Sequence, residues 1–371
     1  MKRILCLAAV TSVLCVPLFW RITAVKLSDN IPHMRIIQRS AAGERAWPPH
    51  FLYHRLVHWA AFGSTDRAAL KSATVFVLTC LVVWKALFSY SVVDREIHSG
   101  TVSFAVAAAL IFAAPIVNWW NFPHVYFGQI SPTIWHSPTA ILSAPLAAWL
   151  FYSVCGSLQT LSVNRLALVS LLLALNALAK PNYLLAFVPV TAAVYFFHFW
   201  KTRQGLAKSF IYLALLFLPV VGVLVRMYLG KYAGADPSAS GIEWAPFRVW
   251  ETRSTSIAGS LAVSAAFPAV FTALYWKETL ADKRIHYAWA VLILAVFLFA
   301  LFAETGRQAE HGNFAWGHHV SMFVLFLVCA ASFFKQKARE VRYSAVLTFF
   351  GLHVATGIFV YVRQLMGMGY Q

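Results

Sequence analysis

Long apolar stretches follow one another along this chain from its first residues to its last, and they constrain its fold more than any other feature. A helix that crosses the hydrocarbon core of a bilayer needs roughly 20 predominantly apolar residues. Such stretches form helices rather than open strands, because unpaired backbone groups cannot face lipid. We therefore predict an all-α, polytopic membrane protein with about 11 transmembrane helices. The candidate segments are residues 4–23, 69–92, 101–118, 138–154, 166–180, 182–199, 209–229, 258–276, 287–303, 319–334 and 343–362.

The composition excludes most soluble classes of protein. Of the 371 residues, 60% are hydrophobic and 12% are charged, whereas a typical soluble domain is roughly 25% charged. The many aromatic and β-branched residues exclude a disordered chain. All five cysteines lie in or at the edge of apolar stretches, so we expect them to pack in the membrane rather than to form disulfides or bind metal.

The distribution of positive charge predicts the orientation of the chain. Lys and Arg number 30 against 13 Asp and Glu, and in so apolar a chain this excess indicates a bilayer and no nucleic acid. A cytoplasmic N-terminus, on an uncleaved first span, places most basic residues of the short connections inside the cell. Those inner residues are Lys2, Arg3, Arg95, Arg165, Lys201, Arg203, Lys208, Lys277, Lys283, Arg284, Lys335, Lys337, Arg339 and Arg342. We expect a single integral domain over 1–371, with outer loops at about 24–68, 119–137, 230–257 and 304–318.

The outer loops carry most of the acidic residues and nearly all of the polar surface. The first of them begins Ser28-Asp29-Asn30 and continues to His33 and Arg35. A carboxylate a few residues past the first span lies at the membrane boundary, where it can meet a lipid head group and act as a general base. Ser, Asp and Asn are also preferred helix N-caps. A cap and a catalytic base therefore both remain open for Asp29.

The same loop contains a second helical signal. It continues Trp47-Pro48-Pro49 and then places apolar residues at helical spacing through Trp59. Prolines at a helix start followed by this spacing predict an amphipathic helix in the membrane interface. His50, His54 and His58 then share one face. Metal binding, contact with phosphate or sugar, and an ordinary polar face all remain open, and no metal ligand is assigned.

The connection from Asn118 to Thr139 is crowded with Trp, Tyr and Phe and is interrupted by prolines. An interfacial aromatic belt explains the tryptophans, but it does not explain polar groups set between prolines. Aromatic rings with Gln and His suit a sugar, which has apolar faces and a hydroxyl rim. We favour a substrate-lining loop that carries His124, Gln129 and His136.

Three of the cations in or beside apolar segments are candidates for a specific role. Lys180 precedes Pro181 at an outer turn and is either a snorkelling anchor or a phosphate contact. Arg226 lies near the outer end of its span, where a charge indicates function by default. Lys85 is nearer the inner end of its span, and we expect it to snorkel to the interface.

The last outer connection, Glu304 to His319, has the densest polar composition of the chain. It contains two carboxylates, one arginine and several histidines, together with glycines that permit tight turns and close approach of a ligand. A solvated loop can have a similar composition. We favour a functional loop in which Glu310, His311 and Asn313 line a substrate.

This layout resembles the GT-C superfamily of integral membrane glycosyltransferases. The similar features are the many spans, Asp29 just past the first helix, the aromatic-proline loop Gly128-Gln129 through Trp135-His136-Ser137-Pro138-Thr139, and the Lys180-Pro181 turn. The resemblance implies transfer of a sugar from a polyprenyl-phosphate donor to a glycan, lipid or protein acceptor on the extracytoplasmic face. It also implies that Asp29 matches the acid of the family's first loop, and that the protein lies in a bacterial inner (plasma) membrane. Unlike some members, the sequence shows no clear DxD or DxE pair and no large soluble C-terminal domain, which leaves the acceptor and any divalent cation open.

The residues are consistent with a single displacement that inverts the anomeric carbon. One carboxylate takes the proton of the acceptor hydroxyl, and a phosphate leaving group needs charge stabilisation more than a dedicated acid. We predict Asp29 as the base, with Lys180 and Arg226 as phosphate contacts. The predicted substrate-binding residues are His33, Arg35, His54, His124, Gln129, His136, Lys180, Arg226, Glu310, His311 and Asn313.

Other classes of function remain open. A transporter or flippase for a lipid-linked or small solute predicts repeated halves and polar residues at mid-span, neither of which is clear in the sequence. A lipid-linked oligosaccharide polymerase or ligase works on the same face of the membrane. A non-catalytic membrane scaffold leaves the outer polar residues unexplained.

Overall fold

The computed structural model describes residues 1–25, 27–118, 128–160, 162–203, 205–232, 241–306, 309–336 and 341–369, which form a bundle of helices. These are α1 (Lys2–Ala24), α2 (Asn30–Ala41), α3 (Leu52–Ala60), α4 (Arg67–Ile97), α5 (Gly100–Phe112), α6 (Pro138–Gln159), α7 (Val163–Ala179), α8 (Asn182–Lys201), α9 (Leu206–Tyr232), α10 (Arg248–Glu251), α11 (Ile257–Leu274), α12 (Trp276–Ala281), α13 (Lys283–Leu301), α14 (Ala315–Phe333) and α15 (Val341–Leu365). Two short strands, β1 (Ile242–Trp244) and β2 (Phe302–Glu304), pair antiparallel. The sequence reading did not predict this pair.

Most of the helices have the length and apolar character of membrane spans. Within the described residues, nine helices are long and apolar enough to cross a bilayer. They are α1, α4, α6, α8, α9, α11, α13, α14 and α15. The apolar helices α5 and α7 are shorter, with 13 and 17 residues. The protein is therefore a multi-pass α-helical membrane protein, as predicted. The figure of about 11 spans counts α5 and α7 as well and stays a prediction.

Helix α14 forms the centre of the bundle. All of its 19 residues are buried, and it packs against α4, α6, α8, α11 and α13. A helix that is apolar all round is surrounded either by lipid or by protein, and neighbouring helices cover every face of α14. Its first turns are the exception in composition, because they carry Trp316, His318 and His319. The packing of α14 thus brings these three side chains to the middle of one end of the bundle.

The span predicted at 101–118 is helical only in its first part. Helix α5 ends at Phe112, and the chain continues as extended backbone along α11 and α15. The N–H of Ala114 donates to the carbonyl of His353 at 3.1 Å, and the N–H of Ile116 donates to the carbonyl of Val263 at 3.2 Å. Non-helical backbone is tolerated at membrane depth when protein groups satisfy it in this way.

Helices α2 and α3 form in the loop where the sequence predicts interfacial helices, with one correction. Helix α3 begins at Leu52, shortly after the two prolines. His50 precedes α3, so the prediction of one helix face shared by His50, His54 and His58 is wrong. His54 is buried and His58 is half-buried. The chain from Pro48 to Phe51 is not helical, which leaves His50 outside the helix face that His54 and His58 share.

The two ends of the bundle differ in character. One end, here called the site end, holds the last turns of α1 and α7 and the first turns of α6, α8 and α14. At the other end, here called the opposite end, Arg3 contacts Thr101, and Arg284 and Lys335 both contact Glu96. Arg3, Arg284 and Lys335 belong to the set predicted to be cytoplasmic. The side of the membrane that each end faces remains a prediction.

Candidate functional site

Asp29 joins two loops at the site end. Its backbone N–H donates to the carbonyl oxygen of His136 at 3.0 Å, which fixes the loop after α1 against the segment before α6. Asp29 occupies the N-cap position of α2, but its side chain makes no capping hydrogen bond among the described residues. The Ser28 hydroxyl instead accepts the N–H of Asn30 at 3.4 Å. The Asp29 carboxylate is therefore not used as a helix cap.

Lys180 points into the site end rather than out to the interface. Its ammonium donates to the Thr139 hydroxyl at 3.0 Å and to the Ser137 hydroxyl at 3.3 Å. It also lies 4.1 Å from the centroid of the Trp316 ring. Among the described residues, no carboxylate lies within ion-pair distance of Lys180. A half-buried ammonium held by neutral hydroxyls can still gain an anionic partner.

The charges of Asp29 and Lys180 act on each other across a short gap. Burial raises the pKa of the Asp29 carboxyl, and the nearby Lys180 ammonium opposes that rise. Burial lowers the pKa of Lys180 to about 7, and Asp29 opposes that shift. Each side chain thus lies close enough to affect the titration of the other, without a direct ion pair. We call Asp29, His136, Lys180 and Trp316 the Asp29–Lys180 cluster.

A pair of neutral imidazoles lies next to this cluster. His33 is one helical turn after Asp29, and its Nδ1 lies 2.8 Å from Nε2 of His54, so one ring donates and the other accepts. Burial holds the pKa of His33 well below its usual value and lowers that of His54 to about 3. The ring of His50 lies 6.1 Å from that of His54. Among the described residues, no group of three or more His, Cys, Asp or Glu side chains is arranged to hold a metal ion.

The aromatic-proline loop meets the start of α14 inside the protein. The ring of His136 lies 5.5 Å from that of Trp316, and the ring of Trp316 lies 5.7 Å from that of His319. Nδ1 of His319 accepts the N–H of Ser131 at 2.9 Å. Burial lowers the pKa of His136, so its ring is neutral. The loops at 128–137 and 304–319 therefore reach the same cluster as Asp29, as a shared site requires.

Lys85 does not snorkel, so that prediction is wrong. The side chain is buried within α4, and its ammonium donates to the hydroxyl of Thr133 at 3.0 Å and to the carbonyl of Pro132 at 3.4 Å. The segment 128–137 thus enters the bundle from the site end as a re-entrant loop and is held there by Lys85. The sequence contained the signal, because a lysine inside an apolar span indicates function or a buried partner.

Glu304 and Asn313 connect the last loop to α8. The amide of Asn313 donates to the Glu304 carboxylate, and the amide of Asn182 donates to the carbonyl of Asn313 at 2.8 Å. Gly317 permits this close packing, because a Cβ there would lie 2.8 Å from the carbonyl oxygen of Asn182. Of the residues predicted in this loop, Asn313 is thus tied to the Lys180 turn through the neighbouring Asn182.

The structure does not place the remaining predicted site residues in the Asp29–Lys180 cluster. Glu310, His311, Arg35 and Arg226 are exposed, and the described contacts do not place them in the Asp29–Lys180 cluster. Gln129 is buried, and its Oε1 has no hydrogen-bond partner among the described residues. His124 lies outside the described residues. The site therefore rests on fewer residues than the sequence predicts.

Comparisons with known proteins provide no further identification. No protein-family model matches the chain, and no curated protein matches it. The fold and the site define the class on their own: a multi-pass α-helical membrane protein with a carboxylate and an ammonium gathered at one end under aromatic rings. Resemblance to glycosyltransferases remains an expectation from the sequence.

Proposed function

We propose that the protein is a membrane glycosyltransferase that uses a polyprenyl-phosphate-linked sugar on the extracytoplasmic face. The observation that carries the proposal is the Asp29–Lys180 cluster. It holds one carboxylate suited to accept a proton and one ammonium suited to bind a phosphate, close together and without an ion pair between them. Three loops meet there, at the boundary where a lipid-linked donor presents its sugar.

The chemistry assigns a separate task to each charged group. The ionised Asp29 accepts the proton of the acceptor hydroxyl as that oxygen bonds to the anomeric carbon. The bond between the anomeric carbon and the phosphate oxygen breaks, and its electron pair leaves with the polyprenyl phosphate. Lys180 stabilises the negative charge that develops on this leaving group. Attack opposite the leaving group inverts the anomeric carbon.

The surrounding side chains suit a sugar. The Trp316 ring packs against the Lys180 ammonium, and the neutral His136 ring lies beside it. Sugars have apolar faces that stack on such rings, while their hydroxyls need donors and acceptors. Asn182 and Asn313 supply amide groups at the edge of the same region. A sugar phosphate with its sugar over Trp316 would place its phosphate near Lys180.

A transfer assay in proteoliposomes tests the proposal. Purified protein is supplied with a panel of polyprenyl-phosphate-linked pentoses and hexoses and with membrane glycan acceptors. We expect Asp29→Asn to lower transfer about 100-fold or more, because general-base assistance is lost. The amide keeps the backbone bond to His136. Asp66→Asn is the matched control, because Asp66 is an exposed carboxylate at the start of α4 and Asn also caps helices.

The outcomes of this assay separate the alternatives. Wild-type transfer that survives Asp29→Asn unchanged disproves the base assignment. If no donor of the panel is transferred by wild-type protein, while the protein moves polyprenyl-phosphate sugars across the bilayer, the transferase proposal fails. Transport is a second candidate because of Lys85, a buried mid-span cation beside a re-entrant loop, and because of the broken α5 span. A flipping assay with the same lipids measures it.

A further inference from the structure

A cavity lies at the opposite end of the bundle, away from the Asp29–Lys180 cluster. It lies between the last turns of α4 and α6, and Arg284 in the first turn of α13 also lines it. Its volume is about 320 Å³, which falls in the range of ligand sites, roughly 300 to 1,000 Å³. The cavity is therefore large enough for the head group of a lipid.

More cations than carboxylates line this cavity, with Arg95 and Arg284 against Glu96. Arg284 and Lys335 both donate to Glu96, and Arg284 also contacts Asp282 at 2.7 Å. Two cations are thus balanced by two carboxylates. Arg95 also lines the cavity, and among the described residues no carboxylate lies within ion-pair distance of it. Its guanidinium is available to an anion.

The backbone carbonyl groups at the ends of α4 and α6 would repel an anion in the cavity, but hydrogen-bond donors cover them. The carbonyl end of a helix carries partial negative charge. The guanidinium of Arg165 donates to the carbonyl of Gly156, which lines the cavity in the last turn of α6. At the end of α4, the left-handed His98 donates its N–H to the carbonyl of Asp94 at 2.9 Å. Arg165 therefore screens one carbonyl end and brings a guanidinium next to the lining residue Gly156.

The lining of the cavity is amphipathic. Tyr152, Ser153 and Gln159 provide polar groups, whereas Phe88 and Trp149 provide aromatic surface. Trp149 is 37% exposed and belongs to a helix that is long and apolar enough to cross a bilayer. Polar groups and aromatic rings in one cavity match a molecule with a charged head and apolar chains.

We propose that this cavity binds the phosphate head group of an anionic phospholipid, with Arg95 and Arg165 on the phosphate and Phe88 and Trp149 along the acyl chains. Basic pockets between membrane helices on the cytoplasmic side bind anionic head groups in this way, and arginine suits phosphate oxygens through paired donors. The opposite end also carries the basic residues that predict a cytoplasmic location. The inference does not depend on the proposed transferase function.

Lipid binding to the full-length, delipidated protein tests the inference. Native mass spectrometry in detergent compares phosphatidylglycerol with phosphatidylcholine at equal concentrations. We expect phosphatidylglycerol to bind more tightly. Arg95→Gln should weaken it about five-fold, the loss typical of one basic residue near an anionic lipid. Arg67→Gln is the matched control, because Arg67 is exposed at the other end of the same helix and should leave binding unchanged.

Two further measurements distinguish a lipid phosphate from a free phosphate and separate loss of binding from misfolding. Sodium phosphate and glycerol phosphate are added as competitors, and displacement at the lipid's own concentration overturns the lipid assignment. Trp149→Ala leaves all ion pairs of the cavity intact and should weaken lipid binding. Equal binding of the two lipids by wild-type protein, or unchanged binding by both Arg95→Gln and Trp149→Ala, disproves the site.

Discussion

The ammonium of Lys85 donates a hydrogen bond to the hydroxyl of Thr133 at 3.0 Å, and it lies 4.2 Å from the centroid of the Phe323 ring. The bond fastens the re-entrant loop to the middle of α4, and the ring belongs to the central helix α14. The Thr133 hydroxyl in turn donates to the carbonyl of Leu110 at the end of α5. One buried lysine thus connects the helices that hold the loop in place.

Replacement of this lysine tests how far the site depends on the loop. We expect Lys85→Met to lower transfer activity about 10-fold or more, because a small displacement of positioned groups has large effects on rate. The carbonyl of Pro132 loses its charged donor, which costs about 1–3 kcal/mol if it stays unpaired. Activity and thermal stability in detergent are measured together.

The control for Lys85→Met lies on the same helix. Lys71 stacks on the Trp20 ring at 3.8 Å and does not contact the re-entrant loop among the described contacts. Lys71→Met should therefore keep wild-type activity. Equal activity in both variants would show that the Lys85 bond does not position the site.

The pH dependence of transfer should follow the two charged groups of the cluster. The pKa of Asp29 is raised by burial, and that of Lys180 is lowered to about 7. The reaction needs ionised Asp29 and protonated Lys180. We therefore expect kcat/KM, which reports the free enzyme, to rise as Asp29 loses its proton and to fall as pH passes about 7.

The variant Lys180→Arg tests whether deprotonation of Lys180 causes the fall of kcat/KM at higher pH. Arginine stays protonated throughout the accessible range, so the variant should retain activity to higher pH than the wild type. Lys71→Arg makes the same change outside the cluster, and kcat/KM of this variant should fall at the same pH as in the wild type. A falling limb that is identical in wild type and Lys180→Arg contradicts the phosphate-contact role.

The paired imidazoles of His33 and His54 predict a stability effect. The pKa of His54 is lowered to about 3 in the folded protein, so between this value and 6.5 the unfolded state binds a proton that the folded state does not. Stability is therefore lost as pH falls below 6.5. From pH 6.5 to 5 the loss from His54 is about 2 kcal/mol.

Melting curves between pH 5 and 8 measure this effect. His54→Gln removes the titrating ring and should melt with a flatter pH dependence than the wild type. His58→Gln removes an imidazole from the same helix while it keeps the His33–His54 bond, and it serves as the matched control. A His54→Gln slope as steep as that of the wild type would refute the assignment.

Features that depend on local pattern could be predicted from the sequence. Apolar length alone predicted the spans, and prolines with helical spacing predicted α3. The position of Asp29 just after α1 predicted its place near the end of that helix, because five residues cannot carry the chain far. Lys180 was named for the same reason, as the polar residue between two apolar runs.

Features that depend on long-range packing could not be predicted. Thr133, the hydrogen-bond partner of Lys85, lies 48 residues further along the chain. Without the fold, a lysine within an apolar span is equally consistent with snorkelling to the interface. The end of α5 at Phe112 does have a local signal, because Pro115 follows three residues later and helices commonly end just before a proline. The packing of this end against α15 involves residues far along the chain and leaves no such signal.

That contact provides the last prediction, through two glycines of α15. A Cβ at Gly357 would overlap the carbonyl oxygen of Phe112, whereas a Cβ at Gly351 meets nothing within 4 Å. Gly357→Ala must push α15 away from the end of α5, and forced overpacking typically costs about 1–3 kcal/mol. Gly351→Ala removes only the flexibility of a helical glycine and should stabilise by about 0.5–1 kcal/mol. Melting temperatures in one detergent compare the variants, and a Gly357→Ala protein as stable as Gly351→Ala would show that α15 does not pack against Phe112.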